Sequence, residues 1–202
     1  MKPQALQINP NHSDQVKCFF IFLILMVPAM YWNYQLETTH RVLSRIILFF
    51  TGWITWTFAE YILHRFWNHS KTVDSSSAII RRHHHHHTHP TEIRITGVQR
   101  VWMIVIAFVL VAISAWTDSY LYWLAGAWMG FFWFFQMHYI LHQAWARKII
   151  PTMVRYHIVH HCKQPDRCFG ISTMIWDVVF NTTPDNQVKI SPRIIDFYFG
   201  HD

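Results

Sequence analysis

Four long segments of the chain are rich in apolar side chains and contain at most one charged residue each. A helix that crosses a bilayer needs about 20 consecutive residues of this kind. Pro28 lies inside the first segment, and membrane helices tolerate such a proline, usually with a kink. The pattern therefore predicts four transmembrane helices, at about 18–36, 46–64, 101–117 and 119–137.

The links between these segments predict two helical hairpins. Residues 36–45 form a short first link, and Asp118 alone separates the third and fourth segments. With four spans, the N-terminus, the loop 65–100 and the tail 138–202 share one side, which carries 15 of the 17 Lys and Arg residues. Positive charge marks the cytoplasmic side. We therefore expect one all-α membrane domain over residues 1–202, with the loop and tail forming a cytosolic helical cap.

The amino-acid composition agrees with a membrane protein. Charged residues make up only 14% of the chain and hydrophobic residues 52%, whereas soluble domains carry about 25% charged residues. A soluble four-helix bundle would need polar outer faces, which these segments lack. Three cysteines exclude a disulfide scaffold. We assign the net charge of +6 to topology and to contact with anionic lipid headgroups, because no nucleic-acid-binding module is visible.

Histidine is the most over-represented residue, with 16 copies of which most lie in four short clusters. One cluster begins where the second predicted span ends, and another begins where the fourth ends. By the topology argument, all four clusters lie at one membrane face, which favours a metal site. The ten histidines concerned are His64, His69, His83, His86, His87, His138, His142, His157, His160 and His161.

The spacing within the clusters is typical of ligands on helices. Residues at i, i+3 and i+4 share a helix face. Two clusters have this spacing, namely His83, His86 and His87, and His157, His160 and His161. His138 and His142 form an i, i+4 pair. His64 and His69 are five residues apart and would diverge by about 140° on a regular α-helix, so we predict a distorted or ending helix there.

Ten histidines predict two metal ions with four or five imidazoles each, because one centre takes about four to six ligands. Imidazole binds a metal only when it is neutral, so the site should fail below about pH 6. The remaining histidines do not share the helix faces or the spacing of the ten. We therefore do not expect these six to be ligands: His12, His40, His84, His85, His89 and His201.

Other chemistries lack their motifs. The sequence has no H-E-x-x-H motif of a zinc protease. A carboxylate-bridged di-iron bundle needs two E-x-x-H motifs, and the one present, from Glu37 to His40, lies on the other side of the predicted membrane. A phosphate-binding glycine loop is also absent from the sequence, which has six glycines in all.

The histidine motifs follow one another in a recognisable order. They are EYILHRFWNH at 60–69, HHHHH at 83–87 with Pro90 behind it, HYILH at 138–142 and YHIVHH at 156–161, followed by FGISTMIWDVVFNT at 169–182. Over about residues 58–183, the chain resembles the fatty acid hydroxylase and sterol desaturase superfamily of membrane-bound, histidine-rich di-metal oxygenases. It is most similar to the fatty acid 2-hydroxylase branch. Two positions depart from the family pattern, Ile79 in place of a further histidine and Asn181 in place of a glycine.

The resemblance implies two iron ions held by the ten clustered histidines, with O2 as co-substrate. It implies hydroxylation of an unactivated C–H bond in a lipid, either a fatty acyl chain or a sterol-like molecule. Electrons would come from a separate donor, such as a cytochrome b5-like protein or a ferredoxin with its reductase. Zinc is expected in purified protein, because it binds such ligands more tightly than iron does. Glu60, one turn before His64, and Asp177 are expected to orient the ligands.

Two other functions remain open from the sequence. A lipid desaturase would use the same metal centre, and the motifs do not separate it from a hydroxylase. A non-catalytic membrane metal-binding or transport protein would place its ligands near the middle of the bilayer, whereas these clusters lie at the ends of spans. The small size and the lack of an obvious retention signal favour a bacterial inner membrane over the endoplasmic reticulum, with the site on the cytoplasmic side.

Overall fold

The computed structural model describes residues 12–37, 41–69, 77–93, 95–117 and 120–200. Every regular element in these ranges is a helix, so the all-α prediction is confirmed. A π-helical turn (Leu63–Asn68) continues α2, and a 3-10 helix (Pro90–Glu92) follows α3. The α-helices are α1 (His12–Glu37), α2 (Arg41–Ile62), α3 (Ala78–Thr88), α4 (Gly97–Thr117), α5 (Leu121–Leu141), α6 (Ala146–Ile149), α7 (Pro151–Cys162), α8 (Ile175–Val179) and α9 (Pro192–Phe199).

The described residues fall into two compact units. The apolar unit contains residues 11–59 and 95–135, and the histidine unit contains residues 60–94 and 136–202. Helices α2 and α5 contribute residues to both units. The assignment of residues 1–202 to a single domain stays a prediction.

Helices α1, α2, α4 and α5 occupy the four segments that were predicted to span a membrane. Among the described residues, the stretches Arg41–Asn68 and Gly97–Thr117 are long and apolar enough to do so by length and composition. Only 11% of the most apolar part of Gly97–Thr117 is buried. An apolar and exposed surface of this kind is typical of a helix surrounded by lipid. The four-span topology and the cytosolic cap stay predictions.

Helix α5 extends further than its predicted span. It runs to Leu141, whereas the span was expected to end near residue 137. His138 therefore lies in the last turn of this helix, and the predicted boundary between span and tail at residue 138 stays a prediction.

In the apolar unit, α2 and α5 pack with their backbones in close contact. A Cβ atom on Gly52 would lie 1.9 Å from the carbonyl oxygen of Trp123, and one on Gly126 would lie 1.8 Å from that of Phe49. Only glycine fits at these two positions, because any side chain would push the helices apart. Trp128 connects α5 to α4 by donating a hydrogen bond from Nε1 to the carbonyl oxygen of Met103 at 2.8 Å.

In the histidine unit, half of the residues of α7 are buried, most of them in its second half. Its apolar residues Val154, Ile158 and Val159 are at most 2% exposed, and three of its histidines are buried beside them. The hydroxyl groups of Tyr61 and Thr182 lie 2.9 Å apart and join the end of α2 to the segment after α8. The core of this unit therefore combines apolar side chains with buried imidazoles.

Candidate metal centre

The ten clustered histidines lie in two groups of five in the histidine unit. Within each group, one nitrogen from every ring lies within 4.8 Å of the others. Seven of the ten side chains are buried, and the other three are partly exposed. Group A consists of His64, His69, His83, His87 and His160, and group B of His86, His138, His142, His157 and His161.

The π-helical turn brings His64 and His69 into the same group. On a regular α-helix these residues would point about 140° apart. The turn Leu63–Asn68 is π-helical, and its i to i+5 hydrogen bonds bring a residue five positions later back to nearly the same face. The helix distortion predicted from this spacing is therefore confirmed.

Helices α3 and α7 each contribute to both groups. On α3, His83 and His87 belong to group A and His86 to group B; on α7, His157 and His161 belong to group B and His160 to group A. On an α-helix, the i+4 residue lies about 40° from residue i, and the i+3 residue about 60° away in the opposite direction. The i and i+4 members therefore stay together, while the i+3 member points to the other group.

The distances between ring nitrogens fit the ligation of one ion in each group. The Nε2 atom of His69 lies 2.9 Å from that of His83 and 3.2 Å from that of His160. In group B, the Nε2 atoms of His86 and His138 are 2.9 Å apart. Two nitrogens that are about 2.1 Å from one ion, at a right angle, are about 3.0 Å apart. The arrangement of these donors therefore fits a metal ion with several imidazole ligands.

Two rings of group A are fixed through their Nδ1 atoms. His64 Nδ1 lies 2.6 Å from the carbonyl oxygen of Phe169, and His160 Nδ1 lies 2.7 Å from that of Arg167. A carbonyl oxygen can only accept a hydrogen bond, so both Nδ1 atoms donate and both Nε2 atoms keep a lone pair for a metal. The buried Nε2 atom of His64 has no hydrogen-bond partner among the described residues.

Two carboxylates hold the segment that carries these carbonyl groups. Asp177 accepts hydrogen bonds from the backbone N–H groups of Phe169 and Gly170, both at 2.9 Å. Glu60 accepts hydrogen bonds from the next two backbone N–H groups along the chain, both at 2.8 Å, and from the hydroxyl of Ser172. Thr182 donates its hydroxyl to Asp177 at 2.7 Å. Apart from the one from Thr182, the hydrogen bonds of both carboxylates therefore go to the segment that anchors group A, and none goes to a candidate ligand.

Group B packs against Tyr198 of α9. The Tyr198 ring stacks on the ring of His142, with centroids 4.7 Å apart, and its hydroxyl donates to the carbonyl oxygen of Leu141 at 3.2 Å. The buried Nδ1 atoms of His142, His157 and His161 have no hydrogen-bond partner within the described ranges. The Tyr198 hydroxyl also lies 3.4 Å from Nε2 of His142. Ring packing is therefore the main support described for group B, whereas backbone carbonyl groups hold two rings of group A.

Burial keeps the candidate ligands neutral. It lowers the pKa of His157, His160 and His161 well below the ordinary value of 6.5, and repulsion from neighbouring imidazoles lowers it further. The same two causes lower the pKa of His69 to about 2 and that of His86 to about 4. Neutral imidazole is the form that binds a metal.

Burial acts in the opposite direction on the acid beside group A. It raises the pKa of Asp177 from 3.8 to about 6, although the hydrogen bonds from Thr182 and the backbone lower it in part. Asp177 is therefore mostly ionised at neutral pH, when a carboxylate accepts hydrogen bonds most strongly.

The histidines that were not expected to be ligands lie outside both groups wherever their side chains are described. The Nε2 atom of His85 lies 3.0 Å from the Oε2 atom of Glu92. The His85 ring stacks on the ring of His89, with centroids 4.2 Å apart. His84, between the ligand candidates on α3, belongs to neither group. The last three fall outside the described side chains: His12, His40 and His201.

Sequence reasoning missed three contributors to the site. The carbonyl groups of Arg167 and Phe169 gave no signal, because every residue carries one. Tyr198 lies beyond residues 58–183, over which the motifs extend, and the only available signal was an aromatic residue within the short helix α9.

Comparison with known proteins gives the family of the chain. A family model described as "Fatty acid hydroxylase" matches residues 49–182, which include all ten clustered histidines. Dihydroceramide fatty acyl 2-hydroxylase FAH1 of Arabidopsis thaliana is 35% identical over 142 residues, covering 67% of this chain and 60% of the relative. Fatty acid 2-hydroxylase of Mus musculus is 27% identical over an alignment of 215 residues, covering 90% of this chain and 58% of the relative.

A solved structure also resembles the chain. The structure of full-length scs7p, in which only the hydroxylase domain is visible, matches with a TM-score of 0.52 and 24% identity. The match covers 87% of this chain and 67% of that one, and it supports the same fold. The chain spans about 60% of the length of the two curated relatives. Because the family model covers more than half of the chain, the chain belongs to the fatty acid hydroxylase family.

Proposed function

We propose that the chain is a membrane-bound di-iron oxygenase that uses O2 and external electrons to hydroxylate an unactivated C–H bond of a lipid. The observation that carries this proposal is the pair of five-imidazole groups that share α3 and α7. The relatives are named as hydroxylases of fatty acids and of dihydroceramide fatty acyl chains. We therefore expect a fatty acyl chain as the substrate, in preference to a sterol-like molecule.

The ten clustered histidines are assigned as the metal ligands, with five imidazoles for each ion. Two iron ions, when bound, supply the activation of O2 that oxidation of a C–H bond requires. Imidazole also suits zinc, which binds such ligands more tightly than iron(II) does. Purified protein is therefore expected to hold zinc unless iron is supplied during expression.

The chain itself contributes a neutral, shielded and oriented set of ligands. Burial keeps imidazoles such as His157 and His161 neutral, so they bind a cation without first losing a proton. The carbonyl groups of Arg167 and Phe169 fix the ring orientation and tautomer of two ligands in group A. Glu60 and Asp177 act as positioning residues, since they hold the segment that carries these carbonyl groups.

The topology and the electron donor are part of the same proposal. Four spans would place the loop 65–100 and the tail 138–202 on the cytoplasmic side, because most Lys and Arg residues lie in these segments and the N-terminus. Electrons would come from a cytochrome b5-like protein or from a ferredoxin with its reductase. The location in a bacterial inner membrane stays a prediction, since the relatives come from Arabidopsis thaliana, rodents and yeast.

The test compares the total lipids of cells that express the chain or its variants, together with a donor and reductase pair, by mass spectrometry. We expect the chain to produce a lipid that is heavier by one oxygen. The variant His160→Ala with His161→Ala, which removes one ligand from each group, should produce none. His84→Ala with His85→Ala is the matched control on α3, and it should keep the product.

Three other outcomes would change the assignment. A product lighter by two hydrogens would make the chain a desaturase on the same centre. Identical lipids with and without the metal-loaded chain would contradict the oxygenase proposal and favour a non-catalytic membrane metal-binding protein. Product formation that survives loss of His160 and His161 would contradict the ligand assignment.

A further inference from the structure

A cavity of about 650 Å³ in the histidine unit is lined by none of the ten clustered histidines. Residues from α6, α7 and α9, and from the segments that precede α6 and α9, form its walls. Pockets that bind small molecules have volumes of about 300–1,000 Å³. The cavity is therefore large enough to hold part of a lipid or a small ligand.

Three cationic side chains line this cavity: Arg147, Lys148 and Arg155. The described residues that line it include no carboxylate, and within the described ranges none of the three cations forms an ion pair. Arg155 also donates to the carbonyl oxygen of Val188 at 2.9 Å, which fixes its position. Three positive charges around a concave surface attract an anion, and arginine fits the oxygen atoms of a phosphate well.

The floor of the cavity is aliphatic. Val154 and Ile158 on α7 are nearly fully buried and close the bottom of the cavity, while the partly exposed side chains of Ile190 and Ile195 present aliphatic surface to it. An inorganic anion gains nothing from such a surface, whereas a ligand with carbon chains next to its anionic group buries them there. The lining therefore favours an anionic amphiphile.

The segment beside the cavity has the composition of a membrane interface. Trp145 and Ile149 flank Arg147 and Lys148 and are 50% and 69% exposed. Exposed tryptophan and aliphatic side chains beside arginine and lysine are typical of a segment that lies at the level of lipid headgroups. This neighbourhood favours a membrane lipid as the source of the amphiphile, and not a soluble phosphate compound.

We propose that this cavity binds the phosphate group of an anionic phospholipid, with Arg147, Lys148 and Arg155 as its partners. The aliphatic floor takes the glycerol and the first carbons of the acyl chains. A lipid bound there holds α6 and the start of α7 at the bilayer surface. This site is separate from the imidazole groups and does not depend on hydroxylase activity.

The test measures binding of dihexanoyl phosphatidylglycerol, a short-chain anionic phospholipid, to the full chain in detergent by isothermal titration calorimetry. We expect saturable binding to one site. Arg147→Gln with Lys148→Gln should weaken it at least tenfold, because two charge-assisted contacts are lost. Lys163→Gln with Arg193→Gln is the matched control, since it removes the same charge from exposed positions outside the cavity, and it should change the affinity less than twofold.

Two further titrations identify the source of the anion. Inorganic phosphate should bind at least tenfold more weakly than the lipid, and Ile195→Ser should weaken the lipid without affecting phosphate. Equal binding of inorganic phosphate would make this a soluble-anion site and overturn the lipid assignment. A lack of saturable lipid binding, or an equal loss in the control variant, would also overturn the proposal.

Circular dichroism and zinc content check that each variant is folded. Lys148→Gln alone, at an exposed position, replaces the double variant if the latter loses helicity. Binding is measured whether or not the chain oxidises a lipid, so this result and the test of the oxygenase are independent.

Discussion

The two imidazole groups have the same number of rings but are supported differently. In group A, the Nδ1 atoms of His64 and His160 donate to backbone carbonyl groups of one short segment, which Asp177 and Glu60 hold in turn. In group B, Tyr198 stacks on His142, and three buried Nδ1 atoms have no partner among the described residues. The first group is fixed by directional hydrogen bonds and the second mainly by packing.

This difference indicates where each group is sensitive to change. A hydrogen-bonded Nδ1 sets both the tautomer and the orientation of its ring, and loss of such partners typically reduces metal affinity or activity by about 10- to 100-fold. Ring packing limits orientation but leaves the tautomer free. We therefore expect group A to respond to changes in its supporting segment, and group B to respond less to the loss of a single polar contact.

Removal of a ligand should have the largest effect, and an equal one in the two groups. His160→Ala takes a ligand from group A, and His161→Ala, its neighbour on α7, takes one from group B. Each variant should lose about one of the two ions, and activity should fall by more than about 100-fold, beyond the usual effect of a residue that only supports a ligand. Metal analysis and lipid turnover measure this. Two retained ions in either variant would contradict the assignment of that residue.

Acid should also affect both groups alike, with a large loss of stability. The pKa values of His157, His160 and His161 lie below the ordinary 6.5 in the folded chain. At a pH between those lowered values and 6.5, these imidazoles bind protons in the unfolded chain but not in the folded chain. Stability is therefore complete above about pH 6.5 and falls with decreasing pH, by up to about 1.4 kcal/mol per pH unit for each imidazole.

Asp177 has the opposite sign and opposes this loss only weakly. Its folded-state pKa of about 6 exceeds its ordinary 3.8, so its contribution is complete below about pH 3.8 and is lost as the pH rises through 6. The proton that the folded chain binds at Asp177 is outweighed by the protons that it fails to bind at several histidines. Thermal unfolding of the metal-free chain in detergent, followed by circular dichroism from pH 8 to pH 5, measures the net effect. An unfolding temperature that is the same at pH 7 and pH 5 would contradict this reasoning.

Asp177→Asn should have a smaller effect, and one that separates the groups. The amide keeps the shape of the side chain but replaces an acceptor by a donor that faces the N–H groups of Phe169 and Gly170. We expect the metal affinity of group A to fall by about 10- to 100-fold while that of group B stays within about twofold. Competition with a chelator measures the difference: one ion should be removed at a low chelator concentration and the other only at a high one.

Asp196→Asn is the matched control for this variant, because Asp196 is exposed on α9. It should leave both affinities unchanged. An equal weakening of both groups by Asp177→Asn would indicate a general loss of structure and contradict its role as a positioning residue.

Tyr198→Phe should have the smallest effect of the series. It removes the hydrogen bond to the carbonyl oxygen of Leu141 and the 3.4 Å contact of the same hydroxyl with His142 Nε2, and it keeps the stacking on His142. One such hydrogen bond contributes about 0.5–1.5 kcal/mol, which lowers the unfolding temperature by a few degrees in a chain of this length. A loss of metal from group B as large as that caused by Asp177→Asn in group A would contradict the distinction between directional and packing support.

The sequence was sufficient for the four long helices and for the set of clustered histidines, but not for the short helices α6, α8 and α9 or for the division of the histidines into groups. The segments with at most one charged residue predicted the four long helices, because the length of an apolar stretch is visible in the residue types themselves. The spacing of His83, His86 and His87 predicted a shared helix face. His86 and His87 point about 100° apart around that helix. Which group each of them joins depends on where the other ligands lie, and those ligands come from segments that are distant in the sequence. For the same reason, the carbonyl partners of His64 and His160 were not predictable.

The division of neighbouring residues between the groups has a consequence for the order of metal loading. His86 and His87 are adjacent on α3 but belong to different groups, as are His160 and His161 on α7. The first ion to bind therefore restricts the motion of both helices, and the second ion meets ligands whose conformational entropy is already reduced. Loading of the two ions should thus be positively cooperative, with a modest coupling through α3 and α7, so that the second ion binds somewhat more tightly than it would to the metal-free chain.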